Sequence, residues 1–476
     1  MHFIGVLGSG CYPLACLMSS RGYTVTGSDS SARADSYTDA SGLRVTRPLT
    51  ELPSGVTLSV YSLAIDESDP EILSALSRGI PLVSRAQLLG ALMSMHSVRI
   101  SVSGSHGKST TTAAAEHILS VAAIPHVAIS GALLNTGIAY TDGGGDIFLA
   151  EACEYKDSFL SLCPTHQIIT SVELDHTDYF PSLSAIRSSF LHAAERADTV
   201  IINADDPVAM GIAEELLRAE KASITKPTEQ DTAVRENELC DTPPALSVKN
   251  DRNSAKRILT YGRSPSADYR IASVVHRGEI TELFLVSKEH TLKLTTPLMG
   301  EYNLYNISAA AVLADSLGID ADTIERAIAD FHGIDRRLSK ISTIDGVPVY
   351  YDYAHHPTEI RAVITALKAR YGTLAVIFRP HTYSRTASLW DDFVTALGMA
   401  ERVVLTDVYP AREQPIEGID SRRLAECISG AIYTPDPSRA AQLATGQGIG
   451  VVALLGAGDV EGIKAELIRL GENKIT

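Results

Sequence analysis

Short apolar or alternating runs punctuate the chain at 56–61, 98–102, 147–150, 167–170, 199–202, 374–378, 403–405 and 451–455. Each is four to six residues long or shorter, rich in Val, Ile and Leu, which is the pattern of a strand rather than of a helix. Ala- and Leu-rich stretches of helical length lie between many of them. The alternation predicts parallel sheets covered by helices, the α/β class. Three blocks follow from where strands run into small or polar turns: 1–97, 98–335 and 336–476. Within the second block, 220–256 is rich in Lys, Glu, Thr, Asn and Pro and poor in large apolar residues, so it reads as a polar insertion. After it, 257–261 and 283–286 predict antiparallel strands forming a small β-subsheet. There is no repeat of solenoid period.

Composition narrows the class without naming a chemistry. At 476 residues the chain is long enough for roughly three domains. Its net charge of −16 disfavours nucleic acid and anionic membranes as bulk partners. No run of eighteen or more apolar residues exists to insert in a membrane. Six cysteines without a Cys-x-x-Cys pair, and a start without a basic, apolar leader, predict reduced thiols and a cytoplasmic protein.

The sharpest motif is Gly104-Ser105-His106-Gly107-Lys108-Ser109-Thr110, between the run at 98–102 and an Ala-rich helical stretch. Glycines let backbone N–H groups approach phosphate oxygens, and the helix N-terminus adds its positive end. Lys108 is expected to bridge the β- and γ-phosphates of a nucleotide and the Ser109 hydroxyl to hold Mg²⁺. Val102 stands where a further glycine is usual in such loops. Acidic motifs follow two later strands: Glu151-Ala-Cys-Glu154 and Glu173-Leu-Asp175-His176. Carboxylates at the C-terminal ends of parallel strands face the ligand crevice and suit a divalent cation.

Other segments read as binding elements. Asn303 and Asn306, three apart after Gly300, share one helical face and offer amides for a base edge; capping the helix is the equal alternative. The third block carries Arg336-Arg337, Asp352-Tyr353-Ala-His355-His356 and His381-Thr382-Tyr-Ser-Arg385. Guanidinium forks suit phosphate or carboxylate. The histidines lack a Cys or Glu at zinc-ligand spacing, which favours substrate and phosphate recognition. The first block opens with Gly5-Val-Leu-Gly8-Ser9-Gly10, and Asp29 ends the next strand, expected at 24–26. This layout serves dinucleotides, but its glycine register departs from the NAD pattern, and a uridine nucleotide can use the same turn.

Together these segments make the chain similar to the Mur ligase family of peptidoglycan synthesis, across all of it except 220–256. The matching segments include 5–15, 104–112, 151–160, 175–176, 300–311, 333–338, 352–360, 380–386, 407–421 and 456–459. The last-block motifs at 352–360 and 407–416 favour the branch that adds L-alanine, or its relative that ligates a recycled tripeptide. The resemblance implies a Rossmann-like N-terminal domain, a P-loop-type central ATPase domain and a Rossmann-like C-terminal domain. It implies ATP and Mg²⁺ as cofactors, UDP-N-acetylmuramate and L-alanine as partners, an acyl-phosphate intermediate, and a monomer or weak homodimer. Carried over residue by residue, Ser109 and Glu151 hold one Mg²⁺ and His176 helps hold a second. Asn303 and Asn306 contact adenine, and Arg337 and Asp352 reach ATP. Tyr353, His381 and Arg385 line the amino-acid and phosphate side. Ser9, Asp29, Ser62 and Arg85 hold the UDP moiety, with Asn135 near the sugar. Lys108, Glu151, His176 and Arg385 are the expected catalytic set. The chain departs from the family pattern at Leu7, at Tyr12-Pro13, at Tyr302 in place of His and at Thr382 in place of Arg.

Overall fold

A computed structural model describes residues 1–134, 137–177, 179–224, 256–411 and 413–472. Most of the expected insertion, and Asn135, lie outside the described residues. Three sheets, of six, ten and six strands, organise the chain. In the first, parallel strands Thr26–Ser28, His2–Ile4, Ser59–Tyr61 and Leu82–Ser84 form the centre. The edge pair Ser36–Thr38 and Arg44–Thr46 is antiparallel. The strand expected at 24–26 runs instead over Thr26–Ser28. Gly27 explains why it can pass there: a Cβ on it would lie 2.5 Å from Val6 Cβ, so only glycine lets the strand close on the first turn.

The second sheet has Val98–Ser103 at its middle, flanked in parallel by Ile147–Glu151 and His166–Ile169. Thr199–Asn203 and Arg257–Gly262 continue it, again in parallel. This corrects one expectation: 257–261 is neither antiparallel nor part of a separate subsheet. Residues 259–262 are buried consecutively, as in a strand covered on both faces, and helix Pro207–Ile224 lies on the crossover that a parallel return requires. The expected antiparallel part exists beyond it, as Tyr269–Arg277, Ile280–Val286 and Thr291–Thr296, continuous with the main sheet. In the third sheet, Val347–Asp352, Val451–Leu455, Leu374–Phe378, Arg402–Leu405 and Ile432–Tyr433 are parallel, with Ser339–Ile344 antiparallel at one edge.

Two apolar clusters bind the first two sheets to their helices, and the larger runs from Phe3 and Val60 of the first sheet and Leu14 of its helix to Phe148 of the second sheet and Phe159 and Phe190 of the helices beside it. The third sheet builds its own clusters around Phe378, Phe393, Val404 and Leu454. Its ties to the second combine Met299 and Tyr302, packed on the Phe378 cluster, with the polar contacts described below. No helix among the described residues is long and apolar enough to cross a membrane.

Candidate active site

Parallel sheets gather the C-terminal ends of their strands on one edge, and the functional segments follow those ends. Val98–Ser103 leads into Gly104, whose φ is +137°. A Cβ there would fall 2.0 Å from Thr170 Oγ1, at the end of the neighbouring strand. Gly107, at φ +84°, precedes helix Lys108–Val121 and offers it no side-chain cap. The first-turn N–H groups therefore keep no side-chain acceptor at the N-cap, the arrangement that receives a phosphate.

A cavity of about 320 Å³ opens beside this turn, lined by His106, Gly107, Ser109, Thr110, Tyr302, Asn306, Arg337 and Asp352. Asn306 faces it, while Asn303 sits behind. The Asn306 amide donates to Asn303 Oδ1 at 3.1 Å, and Asn303 donates to the Met299 carbonyl at 2.8 Å. Asn306 Oδ1 also accepts the Thr111 hydroxyl at 3.4 Å, which ties helix Glu301–Ser316 to the helix that follows the phosphate turn. The Asp352 carboxylate accepts the N–H groups of Leu338 at 2.8 Å and Ala354 at 2.7 Å. Burial pushes its pKa up to about 6, against the pull of Arg337. Burial works against the Arg337 guanidinium too, but Glu359 and Asp352 hold it firmly charged.

A second cavity, of about 360 Å³, gathers Ser9, Asp29, Ser62 and Arg85 from four strand ends of the first sheet, together with Glu151, Cys153 and Tyr155. Asp29 organises its own turn by accepting the Leu7 N–H at 2.9 Å and the Ser31 N–H at 2.9 Å. Gly10 precedes helix Cys11–Ser20 without a side-chain cap, and the Cys11 and Tyr12 N–H groups donate to the Gly8 carbonyl at 3.0 Å, so this turn is closed on itself and leaves the polar side chains to meet a ligand. Glu151 accepts the Gly131 N–H at 2.8 Å.

A chain of charges lies beside these cavities. Lys108 Nζ sits 3.0 Å from Glu154, and His176 Nε2 lies 3.5 Å from the same carboxylate. Next to His176, Asp175 pairs with Arg385 of the third block at 3.0 Å. Burial would raise the Asp175 pKa, yet Arg385 and His176 outweigh it and hold the carboxyl well below the usual range. Burial likewise opposes the Lys108 charge, and Glu154 leads the groups that restore it. Arg385 Nη1 lies 3.2 Å from His381 Nδ1. The His381 ring stacks on Tyr409 and that of His355 meets it edge-on. Burial lowers the pKa of His355 to about 3 and of His381 to about 4, with Arg385 adding to both. Both rings are therefore held neutral at pH 7. Tyr353 packs against His355 and lies under Arg337.

The sequence places Glu154 and Glu173 only within acidic motifs suited to a cation, and gives Glu359 no role; Glu173 and Glu359 join the second and third blocks. His106 Nδ1 lies 3.1 Å from Glu359 and its Nε2 3.5 Å from Glu173, while Thr358 donates to Glu173 at 2.8 Å. Burial lowers the His106 pKa, but its bonds to the two carboxylates carry it up to about 9. The imidazolium is thus an interdomain brace. Its folded pKa lies above the ordinary 6.5, so its stabilisation is fully present below about pH 6.5 and is lost as pH rises through about 9. The shift corresponds to at most about 3 kcal/mol. Thermal unfolding from pH 6 to 10 should show a larger loss in the native chain than in His106→Ala; parallel curves would rule out the brace.

Glu173 also brings a carboxylate to a histidine of the third block, which the sequence spacing did not suggest. Ligand atoms of His106, Glu173 and His356 lie within 4.8 Å of one another. His356 Nδ1, however, accepts the Thr358 N–H to cap helix Pro357–Tyr371. That bond places the ring proton on Nε2, which does not suit a metal ligand.

Comparison with known proteins agrees with this architecture. Residues 1–97 match the Mur ligase family catalytic domain, 102–243 and 239–314 the Mur ligase middle domain, and 336–458 the Mur ligase glutamate ligase domain. A UDP-N-acetylmuramate–L-alanine ligase of Agathobacter rectalis is 33% identical over 90% of this chain and 87% of its own. The solved UDP-N-acetylmuramate-alanine ligase of Thermotoga maritima superposes with a TM-score of 0.77 at 21% identity, covering 99% of both chains. A murein peptide ligase of Psychrobacter arcticus gives 0.66 at 20% identity, over 100% of this chain and 99% of that one. The chain belongs to the Mur ligase family.

Proposed function

We propose that the chain joins L-alanine to the lactyl carboxylate of UDP-N-acetylmuramate at the expense of ATP, in cytoplasmic synthesis of peptidoglycan precursors. It acts as a monomer or weak homodimer. The observation that carries this reading is a phosphate-type helix start in one cavity and Ser9, Asp29, Ser62 and Arg85 gathered in a second, with Lys108, Glu154, His176, Asp175 and Arg385 beside them. The relatives named for this reaction support the choice of substrates.

In this reading, 1–97 holds the sugar nucleotide through Ser9, Asp29, Ser62 and Arg85. Residues 98–335 hold ATP through the turn at 104–110, and 336–476 brings Arg337, Asp352, Tyr353, His381 and Arg385 over the reacting groups. A lactyl carboxylate oxygen attacks the γ-phosphorus and ADP leaves. The alanine amine then attacks the acyl carbon, loses a proton, and phosphate departs. Bringing two anions together is an electrostatic problem, addressed by Lys108 and Arg385. The second step is one of positioning. Ser109, Glu151 and His176 would hold Mg²⁺; the hydroxyl and carboxylate are the hard oxygen donors it prefers, and it supplies charge neutralisation at the phosphates. Asn306 borders the base-side cavity, with Asn303 behind it as its support. The test is phosphate release that requires UDP-N-acetylmuramate and L-alanine together.

A further inference from the structure

An ammonium group has three N–H donors and no acceptor. Those of Lys108 are all engaged within the protein: with the Gly104 carbonyl, with the Ser105 carbonyl at 3.2 Å, and with the Glu154 carboxylate at 3.0 and 3.1 Å. To meet a phosphate, Lys108 must give up at least one. Glu154 is the charged partner among the three, and it is fully buried. A nucleotide phosphate arriving at the start of helix Lys108–Val121 is therefore a second anion competing for one cation. Two anions sharing a buried ammonium is unfavourable unless one finds a further positive or proton-donating partner. One is already in place. His176 Nε2 lies 3.5 Å from Glu154 Oε1, held by a left-handed backbone at φ +52° and by ring contact with Tyr155 at 4.8 Å.

We infer that Glu154 is a positioning residue that exchanges partners during the cycle. It holds Lys108 as an internal substitute for phosphate, yields it to the nucleotide, and then fastens His176 in its working orientation. This inference rests on the ATP-dependent ligase reading. It gives Glu154 two opposed effects. Its grip on Lys108 weakens nucleotide binding, and its grip on His176 supports turnover. A carboxylate that served only to stabilise the fold would weaken both binding and turnover when removed.

The test is Glu154→Gln, which keeps the shape and removes the charge, beside Glu154→Asp, which keeps the charge on a shorter stem. ATP affinity is measured by titration with a fluorescent ATP analogue, without sugar nucleotide. Turnover is measured as phosphate release with UDP-N-acetylmuramate and L-alanine. Glu154→Gln is expected to bind nucleotide roughly threefold or more tightly, while kcat falls by roughly tenfold or more. Glu154→Asp is expected to move both in the same directions by less, and it decides the matter if the Gln variant does not fold. Unchanged or weakened nucleotide binding in the folded variant would overturn the inference. If the native chain bound nucleotide but released no phosphate with those substrates, the ligase reading would fall. The order of the nucleotide affinities would still decide whether Glu154 competes for Lys108.

Discussion

Lys108→Ala is expected to lose turnover by on the order of 10³-fold or more, and to lose stability as well. The first effect follows from its place at the start of helix Lys108–Val121, beside the cavity that holds Ser109 and Thr110. The second follows from Glu154, which is fully buried and loses its charged partner. Removing one member of a buried ion pair costs about 3–5 kcal/mol. The double variant Lys108→Met with Glu154→Gln replaces the ion pair by neutral groups of similar size. It should recover most of the thermal stability and none of the activity. Melting temperature and phosphate release, measured on the same preparations, check both halves. Activity remaining in Lys108→Ala would remove Lys108 from the phosphate site.

Arg385→Ala should lower kcat/KM by on the order of 10²-fold. Arg385 reaches from the third sheet unit to Asp175 at 3.0 Å, and Asp175 is only 7% exposed. The variant leaves that carboxylate buried and unpaired, next to the His176 N–H that it accepts at 2.7 Å. It also frees His381, which now meets Arg385 at 3.2 Å. Arg385→Lys keeps the charge but cannot reproduce two contacts made through separate nitrogens of one planar group, so it should restore only part of the loss. Steady-state kinetics on both variants make the check. A native-like Lys variant would show that charge alone is needed there, and a native-like Ala variant would remove Arg385 from the working site.

Much of the site was legible because its geometry is local or repeats a rule of parallel sheets. The turn at 104–110 is read from eight consecutive residues or fewer. Ser9, Asp29, Ser62 and Arg85 are distant in sequence, yet each follows a strand of one parallel sheet, and the strand ends share an edge. What stayed hidden depends on pairings between distant segments. The direction of Arg257–Gly262 is set by its neighbour and by a crossover, and an apolar run has the same pattern either way. Asn303 and Asn306 share a face as their spacing requires, but spacing does not say that one amide of the pair turns inward. Glu359 caps helix Pro357–Tyr371. Its second role, bonding His106 across 253 positions of chain, exists only after folding.

The ligase assignment stands or falls on phosphate release and product mass, followed with each substrate omitted in turn. The prediction is one phosphate and one ADP for each UDP-N-acetylmuramoyl-L-alanine formed, and none of the three when the sugar nucleotide or the amino acid is left out. Phosphate release that is indifferent to both, or a preference for a preformed tripeptide over L-alanine, would contradict it.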